Sequence, residues 1–229
     1  MFEETDDALV AQQWAAELLG ELNSAKYYFA PETLLAAYKT PDSFSFVVDG
    51  ELCYGQTYGP DPYMDPRWEK VAVEGIRPAS ILGLIPRNGF EFWGMKTSLV
   101  TATPIEILTD MVEVNAIIDE HGPDLSVRPG GTEEVFWGGI RNEEGDLATL
   151  AVLVKWQSGM NVLSSVVTQA QDRGKGLATR LSVGMAAHAY SLGIDEVGLG
   201  VGDINVAAQR AYSKAGYKRL GSFRNYFRE

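Results

Sequence analysis

Residues 171–178 read Gln-Asp-Arg-Gly-Lys-Gly-Leu-Ala, and their flanks decide how they fold. Upstream, Met160–Thr168 is rich in Val, Leu and Ser and predicts a buried strand. Downstream, Leu177, Leu181, Met185, His188 and Leu192 recur at spacings of three and four, which puts them on one face of a helix. The order is strand, glycine-bearing turn, helix. Such a turn leaves the first N–H groups of the helix without partners at its mildly positive end. Gly174 and Gly176 allow a ligand close to the backbone, and Arg173 and Lys175 add positive charge. The stretch predicts an anion site, with phosphate or pyrophosphate as the ligand.

Two common phosphate motifs do not fit. No Gly-x-x-x-x-Gly-Lys-Ser/Thr occurs, and the third glycine of a dinucleotide fingerprint would fall at Thr179. Glu196 stands about twenty positions on, where that fingerprint places its acid. But only 53 residues follow Gly176, too few for the rest of a dinucleotide fold.

A second stretch narrows the choice. Glu196–Val201 predicts a short buried strand, and Asn205, Ala208 and Tyr212 then share one helix face, with Gly216 ending the helix. Arg-Gly-x-Gly-x-Ala, a helix, a strand and Asn-x-x-Ala-x-x-x-Tyr-x-x-x-Gly-Tyr together resemble the acetyl-CoA-binding half of the GNAT (GCN5-related) N-acetyltransferases. Gln171-x-x-Gly174-x-Gly176 fits that family's Q/R-x-x-G-x-G/A motif, and the two segments look most like its FR47-like branch. The likeness spans roughly residues 90–229 and is specific over 160–217. Two features depart from it. Ala170 stands where a proline is usual, and only one strand, Lys218–Phe227, follows the last helix.

The resemblance implies an α/β (α+β) fold with a mixed central sheet and flanking helices. It also implies direct acetyl transfer from acetyl-CoA to a primary amine of a small molecule or peptide, with no metal. The main chain of Val166, Val167 and Thr168 would pair with the pantetheine arm. Gln171 and the backbone from Arg173 through Gly174, Lys175, Gly176 and Leu177 to Ala178 would hold the pyrophosphate. Asn205 and Ala208 would meet the pantetheine, and Tyr212 would protonate the departing thiolate. Each has a plainer reading beside it: β-formers in a core strand, a structural turn, a helix cap at Asn205, a core tyrosine at Tyr212. Alternatives within the same site are a longer acyl-CoA and a CoA-binding module without transfer chemistry.

No general base is legible. Glu133, Glu134, Glu143 and Glu144 are near in sequence, but acids beside hairpin turns are ordinarily solvated. His188 reads as a core histidine, and Trp93, Trp137 and Trp156 as core aromatics or pocket walls.

Composition sets the frame. Of 229 residues, 45% are hydrophobic, ample for a globular core. A single cysteine, Cys53, precludes an internal disulfide, and His121 and His188 form no metal-ligand pattern. The acidic first residues lack a signal-peptide pattern, and no apolar run approaches membrane-spanning length. A cytoplasmic protein is the expectation, and a two-fold dimer is the general expectation for oligomers. Net charge is −12, which argues against nucleic acid as partner. From Ala170 onward nine Lys/Arg face five Asp/Glu, so the segment expected to hold phosphates is basic and the remainder carries −16.

In chain order, residues 5–39 predict two helices, Ala8–Leu22 and one beginning at Pro31 with Leu34, Leu35 and Tyr38. Ser43–Val48 and Glu51–Tyr54 flank the turn signal Asp49-Gly50. Gln56–Pro66 reads as a surface loop, Val71–Leu84 has no clear pattern, and Pro86–Gly89 reads as a boundary loop. A first strand is expected over Phe90–Val100, a helix from Pro104, a loop over Ser126–Gly131, and a hairpin from Glu134–Arg141 and Leu147–Trp156. The expected division is an α+β extension at 1–89, helping to form the acceptor pocket, and the catalytic domain at 90–229. A degenerate second copy of the same fold is the alternative for 1–89.

Overall fold

The computed structural model describes residues 2–75, 79–101, 103–125 and 127–228. Ile76–Pro78, inside the unpatterned stretch, and Ser126, first residue of the expected loop, lie outside them. Two compact units form. One comprises Met1–Phe92, Gly200–Asn205 and Arg219–Glu229, the other Trp93–Leu199 and Val206–Lys218. Neither is continuous in sequence.

The second unit carries the glycine turn. Its elements are β6 (Ile85–Lys96, from Trp93), β7 (Glu106–Leu108), α2 (Met111–His121), β8 (Glu134–Arg141), β9 (Leu147–Lys155), β10 (Asn161–Thr168), α3 (Leu177–Ser191), β11 (Glu196–Gly202, to Leu199) and α4 (Val206–Ala215). Strand order is β7-β8-β9-β10-β11-β6. The β7–β8, β8–β9 and β9–β10 pairs are antiparallel and β10–β11 is parallel. The Leu147–Val154 run of β9 is buried throughout. Helix α3 lies across β8, β9 and β10 and meets α4. Its buried face includes Leu181, Met185, Ala186 and Ala189, whereas Leu192, the last residue of the expected stripe, is exposed.

The strand expected over Phe90–Val100 is present as β6, which begins earlier, at Ile85, and ends at Lys96, whereas the first helix begins later than expected. Pro86–Gly89 is no boundary loop but part of β6, and β6 borders β11 at the far side of the unit's sheet. The opposite edge of that sheet is β7. The residues after Pro104 are extended because Ile105 must reach between two glycines. A Cβ added at Gly184 on α3 would lie 2.3 Å from Ile105 Cγ2, and one at Gly138 on β8 would lie 3.0 Å from Ile105 Cδ1. The helix begins only at Met111, where Asp110 Oδ1 caps it by accepting the N–H groups of Val112 and Glu113 at 3.0 and 3.2 Å.

The first unit contains β1 (Glu3–Thr5), α1 (Ala8–Leu19), β2 (Leu34–Lys39), β3 (Phe44–Val48), β4 (Tyr54–Tyr58), β5 (Lys70–Glu74), the Ile85–Phe92 part of β6 and most of β12 (Lys218–Phe227). Its order is β1-β2-β3-β4-β5-β12-β6. The helix expected from Pro31 is strand β2 instead. Its edges pair with β1 and β3, and that pairing overrides a helical spacing of only three residues. The expected surface loop also gives up Gln56–Tyr58 to β4.

Both units repeat one order: strand, helix, three antiparallel strands, then a crossover to a parallel fifth strand. They differ at the crossover. In the second unit it is the glycine turn and α3. In the first it is Gly59–Glu69, which contains no helix and is held by Asp65. The buried Asp65 carboxylate accepts from Tyr38 Oη at 2.7 Å and from Arg67 N at 2.8 Å. Burial opposes its ionisation, but the bonds from Arg67 and Tyr38 outweigh it and hold its pKa below the usual value. Next to it Trp68, fully buried, donates from Nε1 to Phe46 O at 3.1 Å and rests on Gly55.

A candidate anion and acyl-transfer site

Strand β10 has two regimes. Parallel pairing with β11 covers Asn161↔Val197 and Val162↔Gly198, after which β10 runs on to Thr168 beside β9 alone within this unit. The ladder to β9 then slips between Ser164↔Val152 and Val167↔Leu150, a β-bulge that leaves Ser165 and Val166 without registered partners. Ser165 adopts φ +49°, a left-handed conformation that a non-glycine residue seldom takes. Its Oγ donates to Val127 O at 2.8 Å and latches the bulge to the chain following α2. Val166 is half-buried and Val167 buried, with its carbonyl accepting from Thr149 Oγ1 at 2.7 Å. Thr168 is half-buried; its Oγ1 lies 2.9 Å from Thr149 Oγ1, and its carbonyl accepts from Arg173 Nε at 3.1 Å.

The turn is anchored from below. Gln169, buried, donates from its N–H to Ala148 O at 2.9 Å and from Nε2 to Leu147 O at 2.8 Å. Gln171 donates its side-chain amide to Gln169 Oε1. Asp172, 1% exposed, accepts from Lys175 Nζ at 2.7 Å and from Asn142 Nδ2 at 3.4 Å. The hydrogen bond to Asp172 raises the Lys175 pKa.

Gly174 and Gly176 both take positive φ, +80° and +76°. Gly176 sits at the N-cap of α3 with no side-chain cap. Among the described residues, no acceptor is found for the N–H groups of Gly174, Lys175, Gly176, Leu177, Ala178 or Thr179. A Cβ added at either glycine would meet no protein atom within 4 Å. An uncapped helix N-terminus, a row of N–H donors and two neighbouring cations, of which Lys175 is paired with Asp172, are groups of the kind that bind an anion. Leu177 is buried and Ala178 half-buried, so these two offer main chain rather than side chain.

Helix α4 meets the same turn. Thr179 Oγ1 donates to Ala211 O at 3.2 Å, which brings the residue before Tyr212 against the first turn of α3. Tyr212 is 6% exposed, and Ala208 lies one helical turn before it on the same face. Burial pushes the Tyr212 phenol up to about 12, so it is protonated across the neutral range. Asn205 immediately precedes α4, is exposed, and donates its N–H to Gly202 O at 3.0 Å; it belongs to the first unit.

Of the acids near in sequence, Glu134 is engaged. Its Oε1 accepts from Gly130 N and Gly131 N at 2.6 and 2.7 Å, and its Oε2 from Trp137 Nε1 at 2.7 Å. Glu133, Glu143 and Glu144 are exposed. His188 packs edge-on against Phe136 with ring centroids 4.6 Å apart. No group of His, Cys, Asp or Glu suited to a metal ion is found among the described residues. The roles of Ser165, Gln169 and Asp172 were not read from the sequence. The acid set between Gln171 and Arg173 was the one available signal, since a buried carboxylate next to a basic turn implies a cation to hold.

The chain matches no protein-family model and no curated protein. Solved structures do match. An acetyltransferase of the GNAT family from Colwellia psychrerythraea aligns over 100% of both chains at 14% identity with a TM-score of 0.55. A GNAT-family structure from Novosphingobium aromaticivorans covers 78% of this chain and 88% of its own, at 19% identity and a TM-score of 0.54. A GCN5-related N-acetyltransferase from Kribbella flavida covers 80% and 85%, at 15% identity and 0.53. The chain therefore has the fold of the GNAT acetyltransferases.

Proposed function

We propose that the protein is an N-acyltransferase that moves an acetyl group from acetyl-CoA to a primary amine of a small molecule or peptide. The observation that carries this is the row of free N–H groups from Gly174 to Thr179, at the head of α3 and one short turn beyond the β10 bulge. A pyrophosphate fits that row. The extended pantetheine arm would then lie along β10 at Val166–Thr168 in the manner of an added strand, and Ala208 would meet it from the α4 side; for Asn205 the same role rests on the sequence motif alone. Arg173 and Lys175 border the row and add charge. Gln171 shapes the turn through its bond to Gln169, beside the place proposed for the pyrophosphate.

Transfer would be direct. The neutral amine attacks the thioester carbonyl and forms the carbon–nitrogen bond, the developing negative charge on oxygen needing N–H donors; the nitrogen gives up its surplus proton to solvent, and the carbon–sulfur bond breaks. Tyr212, kept protonated by burial, donates its proton to the departing sulfur. The FR47-like assignment, the acetyl group and the amine class rest on the two sequence motifs. A longer acyl-CoA is the neighbouring reading, and a CoA-binding module without transfer is favoured by one observation, the engagement of Glu134 as a loop anchor rather than a base.

Thermal unfolding with acetyl-CoA, CoA, longer acyl-CoAs and NAD tests the ligand, followed by free-thiol release over a panel of amines. Protection by acetyl-CoA with thiol release supports transfer. Protection without release by any amine favours the binding module. Protection by NAD alone, or by nothing, overturns the reading.

A further inference from the structure

Directly after α4 stands a second tyrosine that the mechanism above does not use. Gly216 ends the helix, and Tyr217 N donates to Tyr212 O at 3.1 Å, folding Tyr217 back onto the helix. The two rings meet at 6.1 Å between centroids and 60° between planes. Tyr217 is 3% exposed, and its Oη is fully buried with no hydrogen-bond partner. Among the described residues, Tyr212 Oη makes no hydrogen bond either. A phenylalanine would fill the Tyr217 site with the same ring. A buried hydroxyl without a partner is costly, so this one calls for a role or for a bound water.

We propose that Tyr217 is a positioning residue for Tyr212: its hydroxyl, acting through one buried water, holds the Tyr212 phenol aimed at the leaving sulfur. The proposal rests on the reading of Tyr212 as the acid. In the step concerned, the Tyr212 O–H bond breaks, an S–H bond forms on the CoA thiolate, and the electron pair stays on Tyr212 Oη. That phenolate is held by the water's O–H, the water accepts from Tyr217 Oη–H, and solvent later returns the proton to Tyr212. Burial raises the pKa of Tyr217, and the neighbouring Tyr212 phenol adds to the rise, so Tyr217 stays a donor throughout.

The test compares Y217F, Y212F and the double variant in acetyl-CoA-dependent thiol release, to an amine or to water. Y217F is expected to lower kcat about tenfold, as for loss of one hydrogen bond to a charged group, with KM for acetyl-CoA unchanged. The double variant should match Y212F alone. A residue that only packs would move KM or thermal stability instead. Y217F with full kcat and equal or higher stability overturns the proposal while leaving Tyr212 in place. Y212F with full kcat overturns the acid reading itself. Should turnover be too slow to measure, crystal structures of the wild type and Y217F decide. A water bonded to both hydroxyls and lost in Y217F supports the proposal, and its absence from the wild type overturns it.

Discussion

Gly176→Ala separates the turn's chemistry from its architecture. At φ +76° an alanine costs about 1–2 kcal/mol of left-handed strain. Nothing in the protein adds to that, since the new methyl meets no atom within 4 Å. For a chain of this size the loss lowers Tm by roughly 2–8 °C. The methyl would project into the open space before the N–H row, where the proposed pyrophosphate needs closest approach. Wild type with acetyl-CoA at about 100 times its dissociation constant should gain ~2.7 kcal/mol, a rise of roughly 5–10 °C. In Gly176→Ala that rise should vanish while the ligand-free protein remains folded. Gly193→Ala is the matched control. Gly193 has φ +78° and equally open surroundings, but follows the far end of α3. Differential scanning fluorimetry on the three proteins is sufficient. Equal acetyl-CoA shifts in Gly176→Ala and wild type would refute the assignment of the N–H row to the ligand.

Tyr212→Phe should retain the acetyl-CoA thermal shift and slow thiol release about a hundredfold, the lower end of the usual contribution of a general acid; an unchanged rate would remove Tyr212 from the mechanism. Stability should decline as pH rises above about 10. Tyr212 holds its proton up to about 12 when folded, whereas an exposed tyrosine releases it near 10, so the folded chain binds more protons in that window and loses ground as pH rises through it. Urea midpoints from pH 8 to 11 would show this, and a flat profile would contradict it. Trp68→Ala should destabilise the protein by about 3–5 kcal/mol, as for other large-to-small changes at fully buried aromatics, measured by chemical denaturation; a loss under ~1 kcal/mol would mean that the crossover does not depend on its indole. Titration calorimetry with acetyl-CoA should give one site per chain, and two sites would show that the first unit also binds.

The legible part of the sequence is the part with local instructions. Strand β10, the glycine turn, α3, β11 and α4 follow from runs, spacings and glycines within about fifty residues. The turn's donors were readable because two glycines beside a helix start constrain the backbone directly. What holds the turn was not readable. Gln169, Asp172 and Asn142 act across the β8–β9 hairpin, and nothing near 169–172 names Leu147 or Ala148 as partners. The misplaced first helix has a similar cause. Leu108 and Val112 fit a helical spacing, but Ile105 is drawn into a gap between Gly138 and Gly184, both distant in sequence, and Asp110 then starts the helix late.

In the first unit α1 and β3 stand close to where they were expected, but the rest failed to read for a different reason, and that reason bears on function. Its β4 and β5 occupy the same steps of the order as β10 and β11, yet the connection between them carries no helix and hence no uncapped N-terminus. Its parallel ladder runs through Tyr54↔Lys70, Gly55↔Val71, Gln56↔Ala72 and Thr57↔Val73 without a bulge, whereas that of β10 ends after Val162. A zipped ladder spends its main-chain donors on the neighbouring strand. An arm that binds by strand addition needs those donors free. Polar groups inside this unit are turned on one another: Gln56 donates to Tyr54 Oη at 2.6 Å and accepts from Tyr58 Oη, which lies 3.0 Å from Ser24 Oγ. Aromatic residues that strengthen such a core also blur sequence periodicity, since every position of β3 is buried. The two units thus share an order of elements but differ in the main-chain groups they leave open. What separates them is where a parallel pair stops pairing and whether a helix begins beside it.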